Sequence, residues 1–564
     1  MQKTCLQNKA KSSLIKSSAP ASNVLILSNN PKAKILFKDG GLDLAYDFAE
    51  KILSSSPDVF NFGGTLVLLN QDGSTTPLSV SRCLIELSRR AIWETERDSK
   101  KGKVMFPVNP PRAVAEAITT SNQWQNIRIL KGVIKHPILS EDGSILNPGY
   151  GSSTSLYCHY KKEDFPQILS QPTKEDAIKA YDELLGLIKS FDLKEQYDRV
   201  AVITFMLAAT CRAYLKTSPF ALITAPVAGA GKGLLGRVIT AFCTPQDPAA
   251  ATLGSNVDEC KKEIISRLLT GTQVLFFDEV ALDEIDSVDL RTLATSETFG
   301  GRLLGQSRAL NLPTRVLVVI TANNAVPSAD SARRILEIRL DPECENPSLR
   351  QFSFNPLAEI KANRSKYIAA VLTIQRAYIL ANPPRPDAPA TGSFGDWDQW
   401  CRWPIMWLTN IDPAARMHQS IQTDPKKGIV LRIYRGWYES YGNEPKRANE
   451  ISHGASPELH DALQEHFYQR GDFSVNTFGR WLGKHKDRFA DGMVLRDAGL
   501  LDGNRRWRID IVINKSGEVV KSGDVLSDVK EKAIHNSLYQ CKEAPLNTTS
   551  PLDIALFINE NHGQ

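Results

Sequence analysis

The sequence predicts a multidomain α/β protein: a central parallel sheet with helices on both faces, an N-terminal α+β domain and a small C-terminal domain of helix and wing. Three observations predict it. Three nearly unbroken apolar runs, FALIT (220–224), VLFF (274–277) and RVLVVIT (315–321), alternate with helical patterns, as strands buried on both faces do. A glycine-rich turn follows the first run directly, and a helix follows the turn. Towards the C-terminus a basic helical pattern leads into an Asp-Gly-Asn turn and a short alternating segment.

The 564 residues exceed what one core holds and point to about three or four domains of ~150 residues. The net charge of +5, with signs intermixed, permits nucleic-acid binding without requiring it. Nine cysteines without a CxxC pair speak against structural zinc or a disulfide framework and fit a reducing cytoplasm. The apolar run VAVITFMLAAT (200–210) is too short to span a membrane and reads as a buried helix. The Lys and Ser residues of the N-terminus precede no apolar stretch, so no signal peptide is expected.

In chain order, residues 1–30 are polar and read as a tail. Residues 31–172 form the expected α+β domain. In it FGGTLVLL (62–69) reads as a strand and PRAVAEAITT (111–120) as a helix opened by proline. GVIKHPILSEDGSIL (132–146) reads as two strands about an Asp-Gly turn. The central domain is expected over 173–382. Thr173 with Asp176 resembles a capping box, and Ala177, Ala180, Tyr181, Leu184, Leu185 and Ile188 keep one helical face. A second helix is expected at about 195–215. A Pro/Gly-rich linker opens the 383–454 region, which continues as a Trp-rich helical segment. Trp397, Trp400, Trp403 and Trp407 recur at helical spacing and read as a packing stripe. Arg402 within it has two readings, a phosphate contact or an internal ion pair. Residues 455–511 form the winged-helix-like domain and 512–564 a polar tail.

The turn Ala225-Pro226-Val227-Ala228-Gly229-Ala230-Gly231-Lys232-Gly233 has the strand-before, helix-after context of a Walker A loop. Ala228, Gly229, Ala230, Gly231, Lys232, Gly233 and Leu234 are the expected phosphate-binding residues. Backbone N–H groups wrap the phosphates, the lysine supplies charge and the helix N-terminus its dipole. Two positions depart from GxxxxGK[ST]: Pro226 replaces the first glycine, and Gly233 replaces the hydroxyl residue that normally holds Mg²⁺. Adenylate kinases also carry glycine after the lysine and use Mg-ATP.

Asp278-Glu279 closes the strand VLFF in a Walker B arrangement. Asp278 is expected to hold Mg²⁺ through water, and Glu279 to polarise the attacking water. Asn323 and Asn324 end the third strand, where an asparagine either caps a turn or orients that water. Arg333 and Arg334 follow, as a solvated pair or as an arginine finger reaching a neighbouring subunit's nucleotide. ATP and Mg²⁺ are the expected cofactors.

This series resembles the helicase half of phage and mobile-element primase/helicase proteins, within the AAA+ and superfamily 3 grouping. The resemblance covers most of 45–510 and includes LLGQSR (303–308), TANN (321–324), SARR (331–334) and RLDPECENPSLRQF (339–352). It continues in WCRWPIMWL (400–408) with the following Asp412-Pro413, and in NTFGRWLGKHKDRFADGMVLRDAGLLDGNRRWRI (476–509). It implies a hexameric ring that burns ATP and moves on single-stranded DNA during replication of a mobile element, among replication partners. No primase motif occurs in 1–180, so no primer synthesis is expected.

The same resemblance places a DNA-facing hairpin between Asp278-Glu279 and the asparagines. Arg302 and Arg308 become candidates for phosphate contact, the alternative being surface arginines on a loop. In 476–509 a helix capped by Asn476 is expected to turn Phe478, Trp481 and Leu482 inward and Arg480, Lys484, Lys486 and Arg488 outward. The strand Arg506-Trp507-Arg508-Ile509 then forms a basic wing. Such a module binds duplex DNA or protein, or presents a solvated face. Two other function classes compete: a nucleotide-dependent switch, loader or defence ATPase that does not unwind DNA, and a replication initiator that recognises duplex DNA through the wing.

Overall fold

The structure is a computed structural model. It describes residues 26–512 apart from 28–32, 38–39, 101, 252–256, 281–283, 286, 303–308, 328, 345, 350–352, 423–424, 452–455 and 470–471. The chain divides into two compact units, Met1–Ile421 and Gln422–Gln564.

The first unit opens with an α+β region. Helices Leu42–Ser54, Val80–Arg90 and Arg112–Thr120 close a core around Ile35, Leu53, Leu66, Leu87, Trp93 and Val114. Pro111 is the N-cap of the third helix, where its missing N–H costs nothing. FGGTLVLL is half turn: Gly63 and Gly64 join the antiparallel strands Val59–Phe62 and Thr65–Leu69, so the strand begins three residues later than the apolar run suggests. In 132–146 the first strand forms over Gly132–Ile134, but the second reduces to one bridge between Leu139 and Ile145 around the Ser140–Ser144 turn.

Two helices lead into the central layer. Helix α1 (Lys174–Ile188) starts with the reciprocal cap, the Thr173 N–H donating to Asp176 at 3.0 Å and the Asp176 N–H to the Thr173 hydroxyl at 3.2 Å. Helix α2 (Gln196–Cys211) is buried on nearly every side from Tyr197 to Cys211, which explains its lack of a polar face. No helix among the described residues is long and apolar enough to cross a membrane.

The central sheet follows the expected alternation. Its elements are β1 (Phe220–Ala225), α3 (Lys232–Thr240), β2 (Ala250–Ala251), α4 (Val257–Leu269), β3 (Val274–Val280) and α5 (Val288–Thr295). A hairpin of β4 (Thr298–Arg302) and β5 (Ala309–Pro313) comes next, then β6 (Leu317–Asn323) and β7 (Ile335–Arg339). The strand order is β2-β3-β6-β1-β7, all parallel, flanked by helices. Strand β6 therefore lies between the strand that feeds the glycine-rich turn and the strand that ends in Asp278-Glu279.

The α+β region is tied to this layer by hydrogen bonds. The Thr75 hydroxyl and N–H donate to the carbonyls of Leu269 and Thr270 at the end of α4, at 2.8 and 2.9 Å. The Asn311 N–H on β5 donates to the Gly63 carbonyl at 3.0 Å.

After helix α6 (Arg364–Ala381), the Trp-rich segment is packing, as its stripe indicates: Trp397 and Trp400 are buried. Its helical run, Gly395–Trp397, the π turn Asp398–Arg402 and Trp403–Thr409, ends at Asn410 with φ 57°; Ala415–Gln422 and α7 (Pro425–Tyr441) follow. Arg402 is buried against Asp398 and Asp412, at 3.2 and 2.7 Å, which settles its two readings in favour of the ion pair.

In the second unit α7, α8 (Pro457–Phe467) and α9 (Val475–His485) pack with the hairpin β8 (Met493–Leu501) and β9 (Asn504–Ile511) around Trp437, Leu459, Phe478, Leu482, Trp507 and Ile509. The turn is Asp502-Gly503, with Leu501 opposite Asn504. Helix α9 starts two residues earlier than expected: Ser474, not Asn476, is its N-cap residue. The result is a winged-helix-like α/β subdomain.

Candidate nucleotide site

The turn after β1 and the ends of β3 and β6 meet at the C-terminal edge of the sheet. The turn is tight because Gly229 and Gly231 take φ values of 75° and 90°, a conformation that costs a side-chain-bearing residue about 1–2 kcal/mol. Ala228 and Gly229 lie exposed on its rim, Ala230 is buried, Gly231 is half-buried and Leu234 is exposed on the first turn of α3. Ser348 closes over the rim, where a Cβ on Gly229 would come within 3.1 Å of its own Cβ. Helix α3 begins at Lys232 itself, two residues earlier than its apolar run indicates.

Lys232 is buried, and burial pushes its ammonium below the usual value, with Glu279 and Asp278 opposing the shift. It donates to Asn323 Oδ1 at 2.6 Å and to the Val227 carbonyl at 3.3 Å. The position of β6 next to β1 makes the first bond possible. Asn324 acts differently: at φ 46° its side chain donates to the Pro226 carbonyl at 3.2 Å and its N–H to the Ala225 carbonyl at 3.2 Å, tying the end of β6 to the turn.

On the other side of β6, the ladder between β3 and β6 breaks between Phe277 and Val280, so both acidic residues leave the regular pleat. Asp278 accepts from the Thr321 hydroxyl at 2.7 Å, and that hydroxyl accepts from the Glu279 N–H at 2.8 Å. Glu279 is exposed and held at φ 55°. Arg237 on α3 places its guanidinium 3.8 Å from Asp278 Oδ2. The sequence reading missed Thr321 and Arg237. A threonine in a strand reads as an ordinary β-former, and an arginine on a helix reads as a solvated side chain; only the fold brings them to Asp278.

The donor set suits a hard divalent cation. Asp278 offers carboxylate oxygens beside the turn's lysine, the type of ligand Mg²⁺ takes together with nucleotide phosphates. Among the described residues no group of three or more His, Cys, Asp and Glu gathers as a metal site, here or elsewhere. The described cysteines are all free thiols.

Arg333 and Arg334 are not part of this cluster. They immediately precede β7, whose first residue, Ile335, pairs with Phe220 at the start of β1. They lie at the opposite edge of the sheet from the glycine-rich turn, about 16 Å away along a strand of this length. Arg333 is exposed; Arg334 is half-buried, and its guanidinium donates to the Asp330 carbonyl. Arg302 ends β4, but its side chain lies outside the described residues, as does all of Arg308. In the second unit Arg480 and Lys484 are exposed on α9. Arg508 is exposed on β9 and pairs with Asp510 at 2.9 Å, and Arg506 is half-buried and donates to the Pro445 carbonyl at 3.3 Å.

No family model matches the chain, and no curated protein matches it. Among solved structures it is similar to an apo structure of the NrS-1 C-terminal region, at 12% identity and a TM-score of 0.32, over 73% of this chain and 92% of that one. A second apo structure of that region matches at 10% identity and 0.34, over 83% and 100%. A JCV helicase structure matches at 12% and 0.19, over 44% and 73%. This chain's own residues make it a multidomain α/β protein whose central parallel sheet carries a P-loop-like strand, turn and helix.

Proposed function

We propose that this chain is an ATP-driven DNA helicase or translocase that works as a homo-hexameric ring on single-stranded DNA in the replication of a phage or other mobile element. The observation that carries the reading is the convergence of Lys232, Asn323, Asp278 and Glu279 at one edge of the sheet, with Asn323 bonded to the lysine at 2.6 Å. In this reading Lys232 binds the β- and γ-phosphates and thereby releases Asn323 to orient water. Asp278 holds Mg²⁺, which neutralises phosphate charge, and Glu279 takes the proton of the attacking water. Arg333 and Arg334 serve the nucleotide of the adjacent protomer. Single-stranded DNA meets Arg302 and Arg308 on the β4–β5 hairpin, and duplex DNA meets Arg480, Lys484, Arg506 and Arg508 in the second unit.

The test is strand displacement on a forked duplex. The reading expects displacement with ATP and Mg²⁺ and none with Glu279→Gln; displacement independent of nucleotide overturns it. A second reading, a nucleotide-dependent switch that binds DNA or protein without unwinding, is favoured by one observation: Gly233 supplies no hydroxyl to the metal. It expects tight ATP binding with negligible turnover and no displacement.

A further inference from the structure

Gly233 is not explained by backbone conformation. It lies inside α3 and its φ is not in the left-handed region, so a serine or threonine would be free to take the same backbone. What a side chain here would crowd is Asp278. A Cβ at position 233 would sit 3.0 Å from Asp278 Oδ1 and 3.1 Å from Oδ2. Both carboxylate oxygens border the place of that Cβ so closely that a Ser or Thr side chain would push the carboxylate aside.

That carboxylate is held in place. Thr321 is buried, and its hydroxyl accepts from the Glu279 N–H, so its own proton is directed to Asp278 Oδ1. The irregularity between Phe277 and Val280 moves Asp278 off the pleat towards α3, and Arg237 faces Oδ2 from the following turn of α3. A carboxylate at the mouth of the glycine-rich turn is a hard oxygen donor of the kind Mg²⁺ and Mn²⁺ accept.

Resting on the nucleotide-site reading above, we infer that Asp278 takes over the metal-ligand place of the missing hydroxyl and binds the nucleotide's divalent cation directly. Gly233 is present to make room for it, and Thr321 is its positioning residue. The consequence runs against the loop consensus: restoring the consensus serine displaces the ligand and weakens the metal site.

The experiment uses the full chain with ADP and measures Mn²⁺ binding by electron paramagnetic resonance. Nucleotide affinity is measured separately with a fluorescent ATP analogue in EDTA. Gly233→Ser and Gly233→Ala are both expected to lower Mn²⁺ affinity about tenfold or more beyond any change in their own metal-free nucleotide affinity. Thr321→Val is expected to lower Mn²⁺ affinity by about 10- to 100-fold, with Thr321→Ser restoring it. Mn²⁺ bound as tightly or more tightly by Gly233→Ser overturns the inference, as does unchanged affinity in Thr321→Val. A wild-type chain that takes up no nucleotide in EDTA is a separate result, which removes the nucleotide site and the inference together.

Discussion

Glu279 is held at φ 55°, where a residue with a side chain carries strain of about 1–2 kcal/mol. That backbone conformation takes Glu279 out of the regular β3 pleat and leaves it exposed. Glu279→Gly is therefore expected to raise thermal stability by about 1 kcal/mol while abolishing ATP turnover. Glu279→Gln is expected to abolish turnover without that gain. Calorimetry and an ATPase assay check the pair, and a glycine variant no more stable than the glutamine variant contradicts the strain. A second residue governs acid stability. Buried His136, bonded through Nδ1 to the Pro137 carbonyl at 2.8 Å, is pushed down from 6.5 to about 3 by burial, assisted by Arg364. The unfolded chain thus takes up this proton first as pH falls. Stability from keeping His136 neutral is fully present above about pH 6.5 and is lost towards pH 3, by up to about 1.4 kcal/mol per pH unit. The melting temperature of His136→Gln is expected to fall less steeply with acid than that of wild type; parallel slopes contradict this.

Elements whose signals are local were legible in the sequence. The reciprocal cap of Thr173 and Asp176, the buried α2 and the Asp502-Gly503 turn follow from a few neighbouring residues. So does the glycine-rich turn between β1 and α3. Thr173→Ala is expected to cost about 1 kcal/mol in urea unfolding by freeing the first N–H groups of α1; an unchanged midpoint contradicts the cap's contribution. What depends on distant pairing was not legible. Nothing within RVLVVIT says that β6 inserts between β1 and β3, and that insertion is what brings Asn323 to Lys232 and Thr321 to Asp278. The apolar run FGGTLVLL hid a turn because two glycines between bulky residues read as part of a strand. Asn476 suits a cap by residue type, but Ser474 holds that position, its N–H tied to the distant Phe467 carbonyl at 2.8 Å. Arg402 kept two readings until Asp412 came beside it across a turn.

At the scale of the whole molecule Arg333 and Arg334 stand at the end of the sheet far from Lys232, just before β7 pairs with the start of β1. The trans arrangement makes a specific claim about mixtures. Lys232→Ala and the double variant Arg333→Ala/Arg334→Ala are each expected to be inactive alone. Mixed, they are expected to recover part of the turnover, because a Lys232→Ala protomer donates its arginines to a neighbour with an intact lysine. Recovery requires assembly, so it is expected to rise steeply with protein concentration. No recovery at any ratio contradicts the shared site.

The central claim, that the Lys232–Asp278–Glu279–Asn323 edge is an ATP motor coupled to DNA, meets its most direct test in one measurement. ATP turnover by the full chain is followed with Mg²⁺, in the absence and presence of single-stranded DNA, for wild type and Glu279→Gln. The account predicts wild-type turnover that single-stranded DNA accelerates several-fold, and negligible turnover by Glu279→Gln under both conditions. Turnover indifferent to DNA, or retained without Glu279, would contradict it.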